Sequence, residues 1–135
     1  MQVGLPRLDS IGVLLVDDDA ETREMVRTVL EGVGANVQSV ASADEARAVM
    51  SSWSPGVVIS DIAMPDETGY AFVQKLRTSN IHVPAIALTA YGRRGDAEEA
   101  IAAGFQAYLA KLGPPVGPGE LRWRRSPRTP KGAWT

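Results

Sequence analysis

The chain has 135 residues, with 14 Lys/Arg against 16 Asp/Glu and a net charge of −2. That length suits one domain able to bury roughly two-thirds of its unfolded surface. Hydrophobic residues at 44% and charged residues at 22% exclude a disordered composition, and the lack of cysteine excludes disulfides and thiolate metal sites.

Apolar runs alternate with helical patterns along the chain. Strands are expected at 11–16 (IGVLLV), 36–40 (NVQSV), 56–60 (GVVIS), 84–88 (PAIAL) and 106–110 (QAYLA). Three are almost continuously apolar, as buried parallel strands are. A first helix is expected over about 20–33, with Met25, Val26, Val29, Leu30 and Val33 on its inner face and Gly34 as its stop. Ser42-Ala-Asp-Glu45 is a capping box for a second helix that turns Ala46, Val49 and Met50 inward. A third, near 67–78, buries Phe72, Val73 and Leu76, and a short fourth, near 95–103, ends at Gly104. Strands and helices in this alternation give an α/β fold with right-handed crossovers. The expected architecture is a flavodoxin-like, doubly wound, five-stranded parallel sheet of order 2-1-3-4-5.

The pattern ends at Lys111. Residues 112–135 hold five of the nine prolines and four of the thirteen glycines. Glu120-Leu-Arg-Trp-Arg-Arg is the one helix-compatible scrap there, bounded by Pro127 and Pro130. The fifth helix of such a fold is therefore expected to be replaced or disordered. Three segments result: an extension at 1–10, a body at 11–111 and a tail at 112–135. Residues 1–111 carry 9 basic and 15 acidic residues, net −6, and the tail 5 and 1, net +4. An acidic body argues against a grip on phosphate backbones. The basic tail with two tryptophans is only a weak nucleic-acid signal.

Polar residues cap the apolar runs at one sheet edge. Asp17, Asp18 and Asp19 follow the first strand, Asp61 the third, Thr89 the fourth and Lys111 the fifth. Clustered carboxylates repel unless a cation holds them, although an acidic triplet can also cap a helix. Asp19 fits the capping role. Asp17, Asp18 and Asp61, with Thr89 and Lys111, suit a hard cation beside a phosphoryl-transfer centre in which a carboxylate can act as nucleophile.

These residues stand in Leu15-Val-Asp-Asp18, Ser60-Asp-Ile-Ala-Met-Pro65 with Gly69 following, Ala87-Leu-Thr-Ala90 and Tyr108-Leu-Ala-Lys111. Together they resemble the receiver domain of two-component response regulators, and most closely the receiver modules of hybrid sensor histidine kinases. The resemblance covers about 11–111. It implies a phosphorelay signalling module rather than an enzyme, with only Mg²⁺-dependent self-phosphotransfer and slow self-dephosphorylation. Asp61 would be the phosphoacceptor. Asp17, Asp18, Asp61 and the backbone carbonyl of Ala63 would hold Mg²⁺ or Mn²⁺. Thr89 and Lys111 would bind the phosphoryl group, and Tyr108 would be the switch aromatic. The partner would be a sensor histidine kinase or a phosphotransfer protein, with a second copy of the chain also admitted.

The chain departs from that family after Lys111, where Leu112-Gly-Pro-Pro115 replaces the usual immediate proline. A degenerate receiver that binds partners without phosphorylation is one alternative. A haloacid dehalogenase-like phosphohydrolase is another, since Asp17-Asp-Asp19 fits its first motif, but Glu21 departs from it and Asp61 would be unexplained. No apolar stretch nears the roughly 20 residues of a membrane span, and the N-terminus lacks a signal-peptide pattern, so no membrane partner and a cytoplasmic location are expected.

Overall fold

The computed structural model describes residues 9–89, 94–111 and 123–125, the side chains of 94–97, 110–111 and 123–125 excepted. The elements in chain order are β1 (Gly12–Val16), α1 (Ala20–Gly32), β2 (Asn36–Val40), α2 (Ala43–Met50), β3 (Val57–Asp61), α3 (Gly69–Thr78), β4 (Ala85–Thr89), α4 (Arg94–Ala103), β5 (Ala107–Lys111) and β6 (Trp123–Arg125). The sheet order is β2-β1-β3-β4-β5-β6, with the first five strands parallel as expected.

β6 was not expected. It runs antiparallel to β5, pairing Leu109 with Arg125 and Lys111 with Trp123. The helix-compatible scrap at 120–125 is thus a strand over 123–125, because an open edge strand offers unpaired backbone groups. The expectation for the rest of 112–135, the absent fifth helix included, lies outside the described residues, as do residues 1–8 of the N-terminal extension.

Alternation along each strand builds two cores. Leu14, Val16, Val58, Ala85 and Ala87 face α2, α3 and α4 in one cluster that includes Phe72, Val73, Leu76 and Phe105. Val13, Leu15, Ile59 and Leu88 face the other way, toward Val26 and Leu30 of α1. α1 presents Thr22, Val26 and Leu30, a row at four-residue spacing, to the sheet. Val29 lies off that row and is 54% exposed, against the expectation that it faces inward.

Local signals set the ends of the helices. Gly34, at φ 100°, donates to the Glu31 carbonyl, and Ala35 donates to Leu30, closing α1 in a Schellman turn. Ser42 Oγ accepts from the Glu45 amide at 3.1 Å, while Glu45 reaches back to the Ala41 amide. α3 starts at Gly69, with Thr68 as its cap, two residues later than expected. Arg77 donates to the Gly104 carbonyl at 3.1 and 2.8 Å and to Gln106 Oε1 at 3.1 Å, fastening α3 to the turn before β5.

Among the described residues Phe72 is the largest fully buried side chain, in the core cluster it shares with residues of α2 and the sheet. Phe72→Ala should lower unfolding free energy by about 3–5 kcal/mol, read as a drop in the urea midpoint.

Candidate functional site

β3, β4 and β5 each end one residue later than the apolar runs suggest, so Asp61, Thr89 and Lys111 are the last residues of their strands. The ladders step these residues across one edge of the sheet. Val16 pairs with Ser60, Asp61 with Leu88, and Thr89 with Ala110. Asp17 and Asp61 are thus next in line on adjacent strands, roughly 4.8 Å apart in the hydrogen-bonding direction.

The side chains converge. Asp17, Asp18 and Asp61 each offer a carboxylate oxygen, and these atoms lie within 4.8 Å of one another. Asp17 is buried, Asp61 half-buried and Asp18 exposed. This gradient leaves one side of the cluster open to solvent. A set of carboxylate oxygens is the donor chemistry a hard divalent cation takes.

The backbone holds this cluster in place. The Asp19 amide donates to Asp17 Oδ1 at 2.9 Å, and Arg23 donates to the Asp17 carbonyl at 2.7 Å. Asp19 is the cap of α1, its carboxylate accepting from the Thr22 amide at 3.1 Å. The division of the triplet is as the sequence suggests: two residues in the cluster and one on the helix. The Ala63 amide donates to Asp61 Oδ1 at 3.1 Å. Ser60, fully buried, donates its hydroxyl to the Asp61 carbonyl at 2.9 Å.

Gly69 now has a reason that the sequence did not supply. Its amide donates to the Ile62 carbonyl at 3.1 Å. A Cβ there would strike the Asp61 carbonyl oxygen and come within 2.9 Å of Ile62 Cα. Only glycine lets α3 start against the backbone of Asp61.

The loop between β3 and α3 is anchored at its inner end by buried Met64. It then makes a tight turn in which the Glu67 amide donates to the Pro65 carbonyl at 2.7 Å, with Asp66 at φ 67°. Aspartate tolerates that region at a cost of about 1 kcal/mol. Glu67 meets Arg47 of α2 in a two-pronged ion pair at 2.9 and 2.6 Å, and Lys75 of α3 lies 3.4 Å away. Arg47 also donates to Asp44 at 2.6 Å, and its guanidinium sits 6.0 Å from the Phe72 ring centre. The Arg47 hydrogen bonds hold the Glu67 carboxyl below the usual carboxylate range, and Glu67 and Asp44 raise the Arg47 value. Neither Arg47 nor Glu67 stood out in the sequence, because 20 residues separate them and no periodic pattern joins them.

Thr89 is buried, its hydroxyl 3.4 Å from the Leu109 carbonyl. Tyr108 is half-buried against the α2–α4 core. The Lys111 backbone ends β5 at the same edge, while its side chain and Ala90 lie outside the described residues. His82 is exposed and is not part of the carboxylate cluster.

A family model described as "Response regulator receiver domain" matches residues 13–122. The chain is 40% identical over 116 residues to an uncharacterized 14.6 kDa protein of Leptolyngbya boryana, covering 84% of this chain and 86% of that protein. It is equally identical to response regulator Rre1 of Synechocystis, covering 84% of this chain but 49% of that protein. Hybrid signal transduction histidine kinase D of Dictyostelium discoideum matches at 35%, over 77% of this chain and 7% of the kinase. The chain thus spans half or less of these two longer relatives. Chemotaxis response regulator CheY4 of Vibrio cholerae superposes with a TM-score of 0.70 at 32% identity, covering 77% of this chain and 88% of that one.

Gly69→Ala should destabilise the fold by about 2–3 kcal/mol in urea unfolding, because the obstructing atoms are backbone. Gly32→Ala, where a Cβ meets nothing within 4 Å, should instead stabilise by about 0.5–1 kcal/mol. Glu67 gives a pH signature. Its depressed folded-state value means its contribution is fully present above the ordinary 4.5 and is lost as pH falls through that lower value. The stability gap between wild type and Glu67→Gln should therefore be constant above pH 4.5 and close in more acid solution, measured by urea titration across pH.

Proposed function

The chain belongs to the response regulator receiver family, and from that membership we propose that Asp61 takes a phosphoryl group from the phosphohistidine of a sensor histidine kinase or phosphotransfer protein. The observation that carries the reading is the convergence of the Asp17, Asp18 and Asp61 carboxylates within 4.8 Å at the sheet edge. As a receiver in a two-component phosphorelay, the domain signals rather than catalyses.

In the proposed transfer, an Asp61 carboxylate oxygen attacks phosphorus. The P–N bond to the donor imidazole breaks, and its electron pair stays on the imidazole nitrogen, which takes up a proton. The Ala63 amide orients the Asp61 carboxylate through Oδ1. Asp17, Asp18, Asp61 and the Ala63 carbonyl would hold Mg²⁺ or Mn²⁺, whose chemistry there is to neutralise charge on the transferring group. The Thr89 hydroxyl and Lys111 ammonium would meet the phosphoryl oxygens. The Thr89 contact to Leu109 is long at 3.4 Å, so the hydroxyl gives up little on moving. Tyr108 would turn further into the core in response. Water attack on the acyl phosphate would return the resting state slowly.

We assign the phosphoacceptor body to 11–111 and treat 112–135 as a separate basic tail. Among the described residues no helix is long and apolar enough to cross a membrane. A cytoplasmic location, and a second copy as a further partner, belong to this same proposal. The acidic body disfavours nucleic acid as a partner. The haloacid dehalogenase reading gives Asp61 no role, whereas Asp61 is part of the carboxylate cluster.

With Mg²⁺ and acetyl phosphate, wild type should gain one phosphoryl adduct by mass, and Asp61→Asn or added EDTA should abolish it. No adduct on wild type would leave a phosphorylation-independent binding module. Hydrolysis of phosphate esters that survives Asp61→Asn would favour the hydrolase.

A further inference from the structure

We propose that the Arg47–Glu67 ion pair is a positioning clamp that sets the loop between β3 and α3 and thereby tunes the affinity of the carboxylate cluster for Mg²⁺. The inference rests on the metal reading of Asp17, Asp18, Asp61 and the Ala63 carbonyl given above. The loop carries one of those groups and adjoins another, so its conformation sets their spacing.

Two fixed points bound the loop. At one end the Ala63 amide holds Asp61 Oδ1 at 3.1 Å. At the other, the Gly69 amide bonds the Ile62 carbonyl at 3.1 Å and α3 begins. Between them the chain must turn back on itself, and it does so through Asp66 at φ 67°. A backbone in that region stays there only where its surroundings insist on it. The residue directly after Asp66 is Glu67, and its two carboxylate oxygens are gripped by the two terminal nitrogens of Arg47 at 2.9 and 2.6 Å.

Arg47 is itself fixed. Asp44 accepts from it at 2.6 Å, and the Phe72 ring lies beneath its guanidinium. The Glu67 side chain is 18% exposed and that of Arg47 37%, so the fork is shielded on the Glu67 side and open to water on the Arg47 side. Lys75 is different. It is 66% exposed, makes a single contact with Glu67 at 3.4 Å and lacks a fork. The geometry therefore gives the positioning role to Arg47 and leaves Lys75 peripheral.

Calorimetric titration of Mg²⁺ into the full chain tests this without any phosphodonor. Glu67→Gln and Arg47→Met should each weaken Mg²⁺ binding by about tenfold, the scale at which groups behind metal ligands act. The double variant should be no weaker than either single one, since both remove the same contact. Lys75→Met should stay within about twofold of wild type. Arg47→Lys keeps the charge but not the fork, and must also weaken binding; it decides the matter if Arg47→Met fails to fold. Mg²⁺ affinities equal to wild type in folded Glu67→Gln and Arg47→Lys would overturn the clamp. Wild type that bound no Mg²⁺ would overturn the metal reading and the clamp with it.

Discussion

The constraint behind the site is the mutual repulsion of carboxylates that the sheet forces together. Parallel pairing of β1 with β3 brings Asp17, the residue after β1, beside Asp61 at the end of β3, and the Asp17, Asp18 and Asp61 oxygens gather within 4.8 Å. At an effective dielectric of about 20, two like charges at such a distance cost about 3–4 kcal/mol, less where water reaches them. The strands cannot relieve this by sliding, because each is locked by its neighbours and by cores on both faces. A one-residue slip would turn every apolar side chain the wrong way. Core packing therefore holds the charges together, and the open side at Asp18 is where a cation could offset them.

What keeps Asp61 aimed is the close seating of α3. The carbonyl of Asp61 accepts the buried Ser60 hydroxyl, and Gly69 passes so near the same backbone that a side chain would not fit. The first turn of α3 is thus part of the site, although none of its side chains belongs to the carboxylate cluster. Asp66 absorbs the reversal this seating demands, with the Arg47–Glu67 contact directly behind it. Stability and site geometry share residues here: Phe72 fills the core beneath α2 and α3 and also lies under the Arg47 guanidinium.

Most of the fold was legible because periodicity speaks for buried strands. The runs ending at Val16, Ser60 and Leu88 read as strands, and the sheet continues the last two by one residue to include Asp61 and Thr89. The Gly34 stop and the Ser42 cap were visible for the same reason: a local conformation selects a residue type. Val29 was misplaced because a helical stripe read from hydrophobicity alone is wider than the row that touches the sheet. The Arg47–Glu67 contact was invisible, since pairing across 20 residues depends on how two elements meet. Gly69 was noticed without its reason, because the atom it must avoid belongs to a residue eight positions earlier.

The edge strand β6 bears on the departure after Lys111. In an immediate Lys-Pro sequence the proline restricts the conformation of the lysine before it. Here leucine follows, and that restriction is gone. The structure supplies another one. Lys111 pairs with Trp123, Ala110 with Arg124 and Leu109 with Arg125, so an antiparallel ladder holds the end of β5 from its outer side, while the ladder to β4 on its inner side runs as far as Ala110. A ladder constrains φ and ψ of a strand residue by pairing its backbone, where proline acts only through steric exclusion. The backbone of Lys111 is therefore paired at the same edge as Asp61 by a different device, and that device comes from the Pro- and Gly-rich tail, in which the sequence offered only a helix-compatible scrap.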